Sequence, residues 1–225
     1  MMKYLKLIFV YLLIEKCVLT NEFLISSEEE LILVPSVAFR YHSTEMKLTD
    51  IAKSEDDWIV YAQGWFFEEN PFRARFATAL LSSTVDNIDA KHVSYFTGSG
   101  KKNKRLCIDG LDKEMCTKTD SNGLIQKQFQ VTHNDIQRFL VPGGSGGKVE
   151  YSVSTPSKTI TASGEIFLCD DNGISVISDI DDTIKITGVT SVRSVLRNTF
   201  SGEYKSVPGM SELYRHYESV YNATF

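Results

Sequence analysis

Short apolar runs separated by turn-forming residues occupy most of the chain before residue 170, which is the pattern of a β-rich protein. The runs are rich in β-branched and aromatic residues, which suit a pleated surface, and they cover residues 31–34, 58–67, 128–131, 149–153 and 164–168. Breaks fall at Pro35, at Asn70–Pro71 and in the glycine-rich stretch 142–147. Several short strands with such turns predict a β-sandwich-like domain over residues 21–170.

Two stretches have helical rather than strand periodicity. Residues 73–81 are predicted to be helical because apolar side chains repeat there at helical spacing, namely Phe72, Phe76, Ala79 and Leu80. A second helix is predicted after Pro208, because proline suits the first turn of a helix. Its apolar face would consist of Met210, Leu213, Tyr214, Tyr217 and Tyr221.

Residues 171–225 differ from the rest of the chain. A short apolar strand is predicted at 174–178, an acidic loop follows it directly, and the helix after Pro208 comes next. The last residues, 223–225, could begin another strand. A strand, a loop and a helix in this order open a parallel α/β unit. The predicted fold class is therefore mixed, with a β-rich domain first and an α/β segment second.

Composition and charge restrict the class of partner. The chain has 225 residues, of which 42% are hydrophobic and 24% are charged, as in ordinary globular proteins. Its net charge of -5 and its pI of about 5.4 argue against nucleic acid as a partner. A local basic patch at Lys101, Lys102, Lys104 and Arg105 is interpreted as a solvated loop.

The N-terminus predicts export. Lys3 and Lys6 precede a short apolar run at residues 7–14, which is the arrangement of a secretory signal peptide. The run is too short to span a bilayer as a mature helix. Residues 1–20 are therefore predicted to be a signal peptide, and the protein to be secreted or luminal. The alternative is a buried helix or strand that begins a cytoplasmic protein.

The cysteines and histidines do not predict a zinc site, because no spacing between them matches one. Cys107 and Cys116 flank a stretch with turn residues at its centre, and in an oxidising compartment they could form a disulfide. Cys169 lies in an apolar run and is interpreted as an inert core thiol.

The acidic loop contains Asp179, Asp181, Asp182 and Thr183, and it follows the strand predicted at 174–178. Three carboxylates so close together repel one another unless a cation lies among them. Mg²⁺ suits such a site, one carboxylate can attack phosphorus, and a second can transfer protons. The simplest alternative is a solvated turn. A calcium-binding EF-hand loop is excluded, because Ile184 stands where that loop needs glycine and a strand precedes it.

Residues 173–189 resemble the actin-patch phosphatidate phosphatase family, whose catalytic domain is of the haloacid-dehalogenase-like type. The resemblance continues at residues 196–200, 207–210 and 213–214. Residues 64–67, 120–123 and 164–166 also look like the β-rich N-terminal region of that family. Residues 171–225 are accordingly interpreted as the start of the phosphatidate phosphatase catalytic domain.

The resemblance implies Mg²⁺-dependent dephosphorylation of phosphatidate to diacylglycerol through an aspartyl-phosphate. The implied partner is phosphatidate or another phosphorylated lipid at a membrane surface. Asp179 would be the nucleophile and a metal ligand. Asp181 would be the general acid/base, with its backbone carbonyl on the metal. Thr183 completes the family's D-x-D-x-T motif and would order the loop, while Asp182 would shape it.

Three further motifs of haloacid-dehalogenase-like enzymes are expected downstream of the helix after Pro208: a Ser/Thr and a Lys that hold the phosphoryl group, and an acidic pair that completes the metal site. The sequence stops at Phe225 without them, so an incomplete catalytic domain is expected. The alternative is a non-catalytic secreted β-sandwich binding protein with a vestigial phosphatase tail. A protein phosphate or a sugar phosphate remains open as the substrate.

Overall fold

The computed structural model describes residues 28–40, 57–111, 115–141, 147–169 and 174–223. The predicted signal peptide, residues 1–20, lies outside them. The ten described strands are β1 Glu29–Val34, β2 Ser36–Arg40, β3 Trp58–Glu68, β4 Ser99–Gly100, β5 Arg105–Asp109, β6 Met115–Lys118, β7 Leu124–Val131, β8 Leu140–Val141, β9 Lys148–Ser154 and β10 Thr161–Cys169. The five described helices are α1 Pro71–Leu81, α2 Ala90–Thr97, α3 His133–Phe139, α4 Val192–Phe200 and α5 Met210–Tyr221.

All ten described strands belong to one mostly antiparallel sheet. Strand β3 is its longest member, with β1 and β2 along one edge and β7 and β4 along the other. The pairing continues from β2 through β10 and β9 to β5 and β6, and only the β2–β10 pair among the described strands is parallel.

The β-rich prediction is confirmed, whereas the division into the two stacked sheets of a sandwich is not seen among the described strands. They form one curled sheet instead, because β2 bonds to β3 on one edge and to β10 on the other. Alternation along a strand predicts which face is buried, but it does not identify the neighbouring strand.

The hydrophobic core lies against one face of the curled sheet. Val60, Phe66, Ile108 and Ile166 are all fully buried in it. Phe67 follows Phe66 along β3 and therefore points to the opposite face, where helix α2 covers it. Burial of each such side chain contributes about 1.5–3 kcal/mol, so the sheet is stabilised mainly by apolar packing.

The helix prediction at residues 73–81 is confirmed by α1, and the prediction after Pro208 is confirmed by α5. Helices α2, α3 and α4 were not predicted. Helix α4 rests on α2, where the rings of Phe96 and Phe200 meet edge to face with centroids 4.9 Å apart. Near this contact, the amide of Asp89 donates to the carbonyl of Phe200 at 2.7 Å. The C-terminal segment, residues 174–223, thus attaches to the helices beside the sheet.

The strand predicted at 174–178 is wrong, because no described strand includes these residues. Ile177 is 99% exposed, so the apolar run is not buried between helices as in a parallel α/β sheet. A strand needs a neighbour to satisfy its backbone groups, and no described strand of the sheet pairs with this run. The helix of the predicted α/β unit is present, while the strand is not.

Candidate active site

The acidic loop is a tight turn built around one carbonyl group. The carbonyl oxygen of Ile180 faces the amides of Thr183, Ile184 and Lys185 at 3.3, 2.9 and 2.9 Å. In return, the amide of Asp182 donates to the carbonyl of Lys185 at 2.7 Å. Asp182 adopts a left-handed conformation with φ of 60°, which aspartate tolerates better than most residues. These bonds give the loop a defined shape although it is exposed.

The Asp182 carboxylate closes this turn. One of its oxygens accepts from the amides of Thr187 and Gly188 at 2.8 and 2.6 Å, and the other accepts from Val189 at 2.8 Å. The hydrogen bonds from Gly188, Val189 and Thr187 lower the pKa of Asp182, because they favour the charged form. Both oxygens are already engaged with the main chain, so Asp182 has a structural task here.

Asp181 is oriented by a residue that the sequence did not identify. The hydroxyl of Thr187 donates to Oδ1 of Asp181 at 2.5 Å, and Thr187 is only 4% exposed. The carbonyl of Thr187 accepts from Nδ2 of Asn198 in α4 at 3.0 Å. Asp181 is therefore linked through Thr187 to α4 by its Oδ1 atom.

Asp179 is exposed and less constrained. The Thr183 hydroxyl lies 3.5 Å from Oδ2 of Asp179, at the outer limit of a hydrogen bond. The neighbouring Ser178 hydroxyl lies 3.1 Å from the carbonyl of Asp179 and also hydrogen-bonds the hydroxyl of Tyr214 in α5. Asp179 is thus held through its main chain, and its carboxylate stays accessible.

A short backbone ladder fixes the loop against the segment before α5. The amide of Ile186 donates to the carbonyl of Lys205 at 2.8 Å, and the amide of Val207 donates to Ile184 at 2.8 Å. With the contacts to Asn198 and Tyr214, the loop has connections to α4, to α5 and to the chain between them. The turn that carries the aspartates is therefore supported on several sides.

The donor atoms that the loop offers to a cation are carboxylate oxygens. Asp179 and Asp181 are exposed carboxylates with no salt bridge to any described residue. Mg²⁺ is often held by one or two carboxylates, with water and phosphate oxygens as the other ligands. In the described parts of the chain, no three or more His, Cys, Asp or Glu residues group as metal ligands. Two exposed carboxylates are compatible with the few protein ligands that Mg²⁺ usually takes.

The other sequence candidates lie in the sheet. Cys107 and Cys116 stand opposite each other on β5 and β6 and form a disulfide. In the basic patch, Lys101 pairs with Glu68, and Lys104 pairs with Glu29 at 2.6 Å. These pairs agree with a solvated loop rather than an anion site. None of the described helices has the length and apolarity needed to cross a membrane.

Comparison with known protein families gives a match for the C-terminal segment. The family model described as "Phosphatidate phosphatase APP1, catalytic domain" matches residues 174–225, which include the acidic loop, α4 and α5. The family resemblance inferred from the motif is confirmed for this segment. No curated protein and no solved structure matches the chain significantly.

Proposed function

Since residues 174–225 match a phosphatidate phosphatase catalytic domain, we propose that the protein is a Mg²⁺-dependent phosphatase that converts phosphatidate to diacylglycerol. The observation that carries this proposal is the pair Asp179 and Asp181. Both carboxylates are exposed, they are two residues apart, and a hydrogen-bonded turn holds them. Asp182 does not compete with them, since its oxygens are bound by main-chain amides.

Each carboxylate has a separate role in the proposed reaction. Asp179 attacks phosphorus, the bond from phosphorus to the diacylglycerol oxygen breaks, and an aspartyl-phosphate forms. Asp181 gives its proton to the leaving oxygen and then accepts a proton from water, which attacks the aspartyl-phosphate and releases phosphate. The Asp179 carboxylate and the Asp181 backbone carbonyl would hold Mg²⁺, which would offset the charge of the phosphoryl group.

Thr187 and Asn198 support the second role. The Thr187 hydroxyl donates a hydrogen bond to Oδ1 of Asp181, so Oδ2 is the oxygen that would transfer the proton. Asn198 holds the main chain of Thr187 from α4. Thr183 is proposed to order the loop near the phosphoryl group, because its hydroxyl faces Asp179.

The proposal is tested by measuring phosphate release from phosphatidate in detergent micelles by the full chain. We expect activity with Mg²⁺, loss of activity with a chelator, and a fall of roughly a thousandfold or more in Asp179→Asn. Asp86→Asn, which removes an exposed carboxylate on another loop, is the matched control and should retain activity. Equal turnover in Asp179→Asn and the control would refute Asp179 as the nucleophile. Phosphoserine peptide and glucose phosphate as parallel substrates would distinguish the lipid from other phosphate esters.

The exposure of the C-terminal segment favours one alternative, a non-catalytic binding protein. Residues 174–178 join no described strand, and Ile177 is almost fully exposed. Electrostatic stabilisation supplies much of phosphoryl-transfer catalysis, and Asp179 and Asp181 have no cationic side chain paired with them in the described residues. A folded chain that binds phosphatidate but releases no phosphate with any divalent cation would favour a non-catalytic binding protein.

Export of the protein is proposed as well. The basic and apolar residues 1–20 support it, and so does the Cys107–Cys116 disulfide, because disulfides persist in oxidising compartments. Deletion of residues 1–20 should move the protein from the medium or the secretory pathway to the cytoplasm. An unchanged location after the deletion would contradict the proposal.

A further inference from the structure

The outer face of α1 is apolar and exposed. Phe72, Phe76 and Leu80 are 49%, 44% and 60% exposed, and their spacing of four residues aligns them along one side of the helix. Helix α1 packs against α2, and its half-buried residues Ala74 and Ala77 lie on the side opposite this row. An aligned row of large apolar side chains on a surface helix usually marks an interaction site.

Arginines accompany this apolar row without acidic partners. Neither α1 nor α4 contains an Asp or Glu, and each carries two arginines. Arg75 and Arg193 are exposed and make no salt bridge with any described residue. Lysines elsewhere on this side behave differently, since Lys91 pairs with Glu30 and Glu69. The charges of Arg75 and Arg193 are therefore not neutralised by an ion pair within the described residues.

The two helices share one surface. A groove of about 430 Å³ separates the end of α1 from the start of α4, and its lining includes Ser83, Thr84 and Val192. Val192 is 78% exposed, and Arg193 lines the same groove. We call the combined surface the arginine–phenylalanine face and define it by Phe72, Arg75, Phe76, Leu80, Val192 and Arg193.

We propose that the arginine–phenylalanine face docks on an anionic membrane surface. A helix that presents large apolar residues beside arginines suits the boundary between acyl chains and negative headgroups. The chain as a whole has a net charge of -5, so attraction to such a surface has to come from a local basic region. Exposed apolar side chains between unpaired arginines match both components of this surface.

Docking would bring the acidic loop to the lipid, and in this respect the inference rests on the proposed function. Val189 donates to Asp182 in the loop at 2.8 Å, and α4 begins at Val192. Asn198 connects the same helix to Thr187. The membrane-binding helix and the helix that supports Asp181 would thus be one element.

The test is co-sedimentation of the full chain with vesicles of phosphatidylcholine alone and with equimolar phosphatidylcholine and phosphatidylserine. We expect binding only to the anionic vesicles, weakening as salt is added. Arg75→Gln with Arg193→Gln should lower the partition coefficient by about fivefold per arginine. Phe72→Ser with Phe76→Ser should lower it as well. The matched control, Arg105→Gln with Lys118→Gln, removes two exposed charges from the β5–β6 hairpin and should bind like the native chain.

Equal binding to both kinds of vesicle would overturn the proposal, and so would equal losses of binding in the control and the arginine variant. A third contrary outcome would come from light scattering: the native chain is an oligomer, the Phe72→Ser/Phe76→Ser variant is not, and both bind vesicles equally. The last result would assign the face to a second copy of the chain. Phosphatidylserine is not the proposed substrate, and Asp179→Asn should bind these vesicles normally. A failure of catalysis is therefore distinguishable from a failure of docking.

Discussion

The sheet and the C-terminal segment are held together by different interactions. Strands β3, β5, β9 and β10 bury large apolar side chains completely. Between residues 174 and 223 the only buried residues are Thr187 and Ala223, and neither α4 nor α5 has a buried side chain. That segment is ordered by hydrogen bonds around its acidic loop and by its contact with α2.

Because of this difference, the sheet provides most of the stability of the fold, while the C-terminal segment carries the candidate catalytic residues. An intramolecular hydrogen bond contributes only about 0.5–1.5 kcal/mol net, whereas one buried aromatic side chain contributes more. The segment that carries Asp179 and Asp181 therefore depends on the sheet and its helices for most of its stability. Segments with little buried apolar surface are also those that open locally.

The largest expected contrast is between Phe66 in the sheet and Ile177 in the segment. Phe66→Ala should lower the free energy of unfolding by about 3–5 kcal/mol, because it leaves a cavity in a closed core. Ile177→Ala should change it by less than about 0.5 kcal/mol, because the side chain is 99% exposed. Denaturant unfolding of both variants measures the two values. A loss of several kcal/mol in Ile177→Ala would show that Ile177 is buried in solution and would remove the contrast.

A smaller effect is expected from the covalent link within the sheet. The disulfide joins residues nine positions apart, and by loop-closure entropy its removal in Cys107→Ser with Cys116→Ser should cost about 2–3 kcal/mol. The comparison is thermal unfolding of the native chain with and without reductant. Reductant should destabilise the native chain and leave the double variant unchanged. An equal response of both proteins would contradict a formed disulfide.

Periodicity predicted much of the secondary structure but little of its pairing. The strands at β3, β9 and β10 and the helices α1 and α5 follow from spacing and turn residues. The parallel pair of β2 with β10 joins residues more than a hundred positions apart, and no local pattern indicates it. The run at 174–178 was predicted as a strand but forms none, because an apolar sequence becomes a strand only where a neighbouring strand can pair with it.

The acidic loop was recognisable because its chemistry is concentrated in consecutive residues. Its supporting contacts were not, since Thr187 and Asn198 reach Asp181 only through the three-dimensional path of the chain. One signal for α4 was available in the sequence, because Ser191 can cap a helix that begins at Val192. Hydrogen-bonded sites therefore reveal their reactive groups in sequence more readily than the residues that orient them.

A moderate effect is expected at Thr187, which belongs to the hydrogen-bonded C-terminal segment. Thr187→Val removes the donor to Asp181 and should lower kcat for phosphate release about tenfold, or about 1.4 kcal/mol. KM should stay the same, because Thr187 is proposed to orient Asp181 and not to contact the lipid. Steady-state kinetics on phosphatidate micelles measures both constants.

Two variants distinguish positioning by Thr187 from a general loss of structure. Thr187→Ser keeps the hydroxyl and should restore most of kcat. Thr190→Val removes an exposed hydroxyl nearby and should have no effect. If Thr187→Ser were as slow as Thr187→Val, orientation of Asp181 by the hydroxyl would be refuted.

The smallest effect is expected at Tyr151, a core residue whose hydroxyl has no hydrogen-bond partner within the described residues. Tyr151 is 3% exposed, and its hydroxyl makes no hydrogen bond within the described structure, although Ser36 and the main chain of Gln63 lie near it. Tyr151→Phe should therefore leave the free energy of unfolding at neutral pH unchanged or raise it by up to about 1 kcal/mol. The half-buried hydroxyl of Ser178 in the C-terminal segment is hydrogen-bonded by contrast.

Alkaline pH sharpens this last prediction. Burial raises the pKa of Tyr151, because the charged phenolate is poorly solvated in the core, while Ser36 and Gln63 lower it by less. A raised pKa in the folded state means that the contribution of Tyr151 to stability is complete below its unfolded pKa of about 10. That contribution is lost as the pH rises through the higher folded value. Denaturant unfolding above pH ~10 should therefore show a shallower decline of stability in Tyr151→Phe than in the native chain, and identical slopes would place the hydroxyl in contact with water.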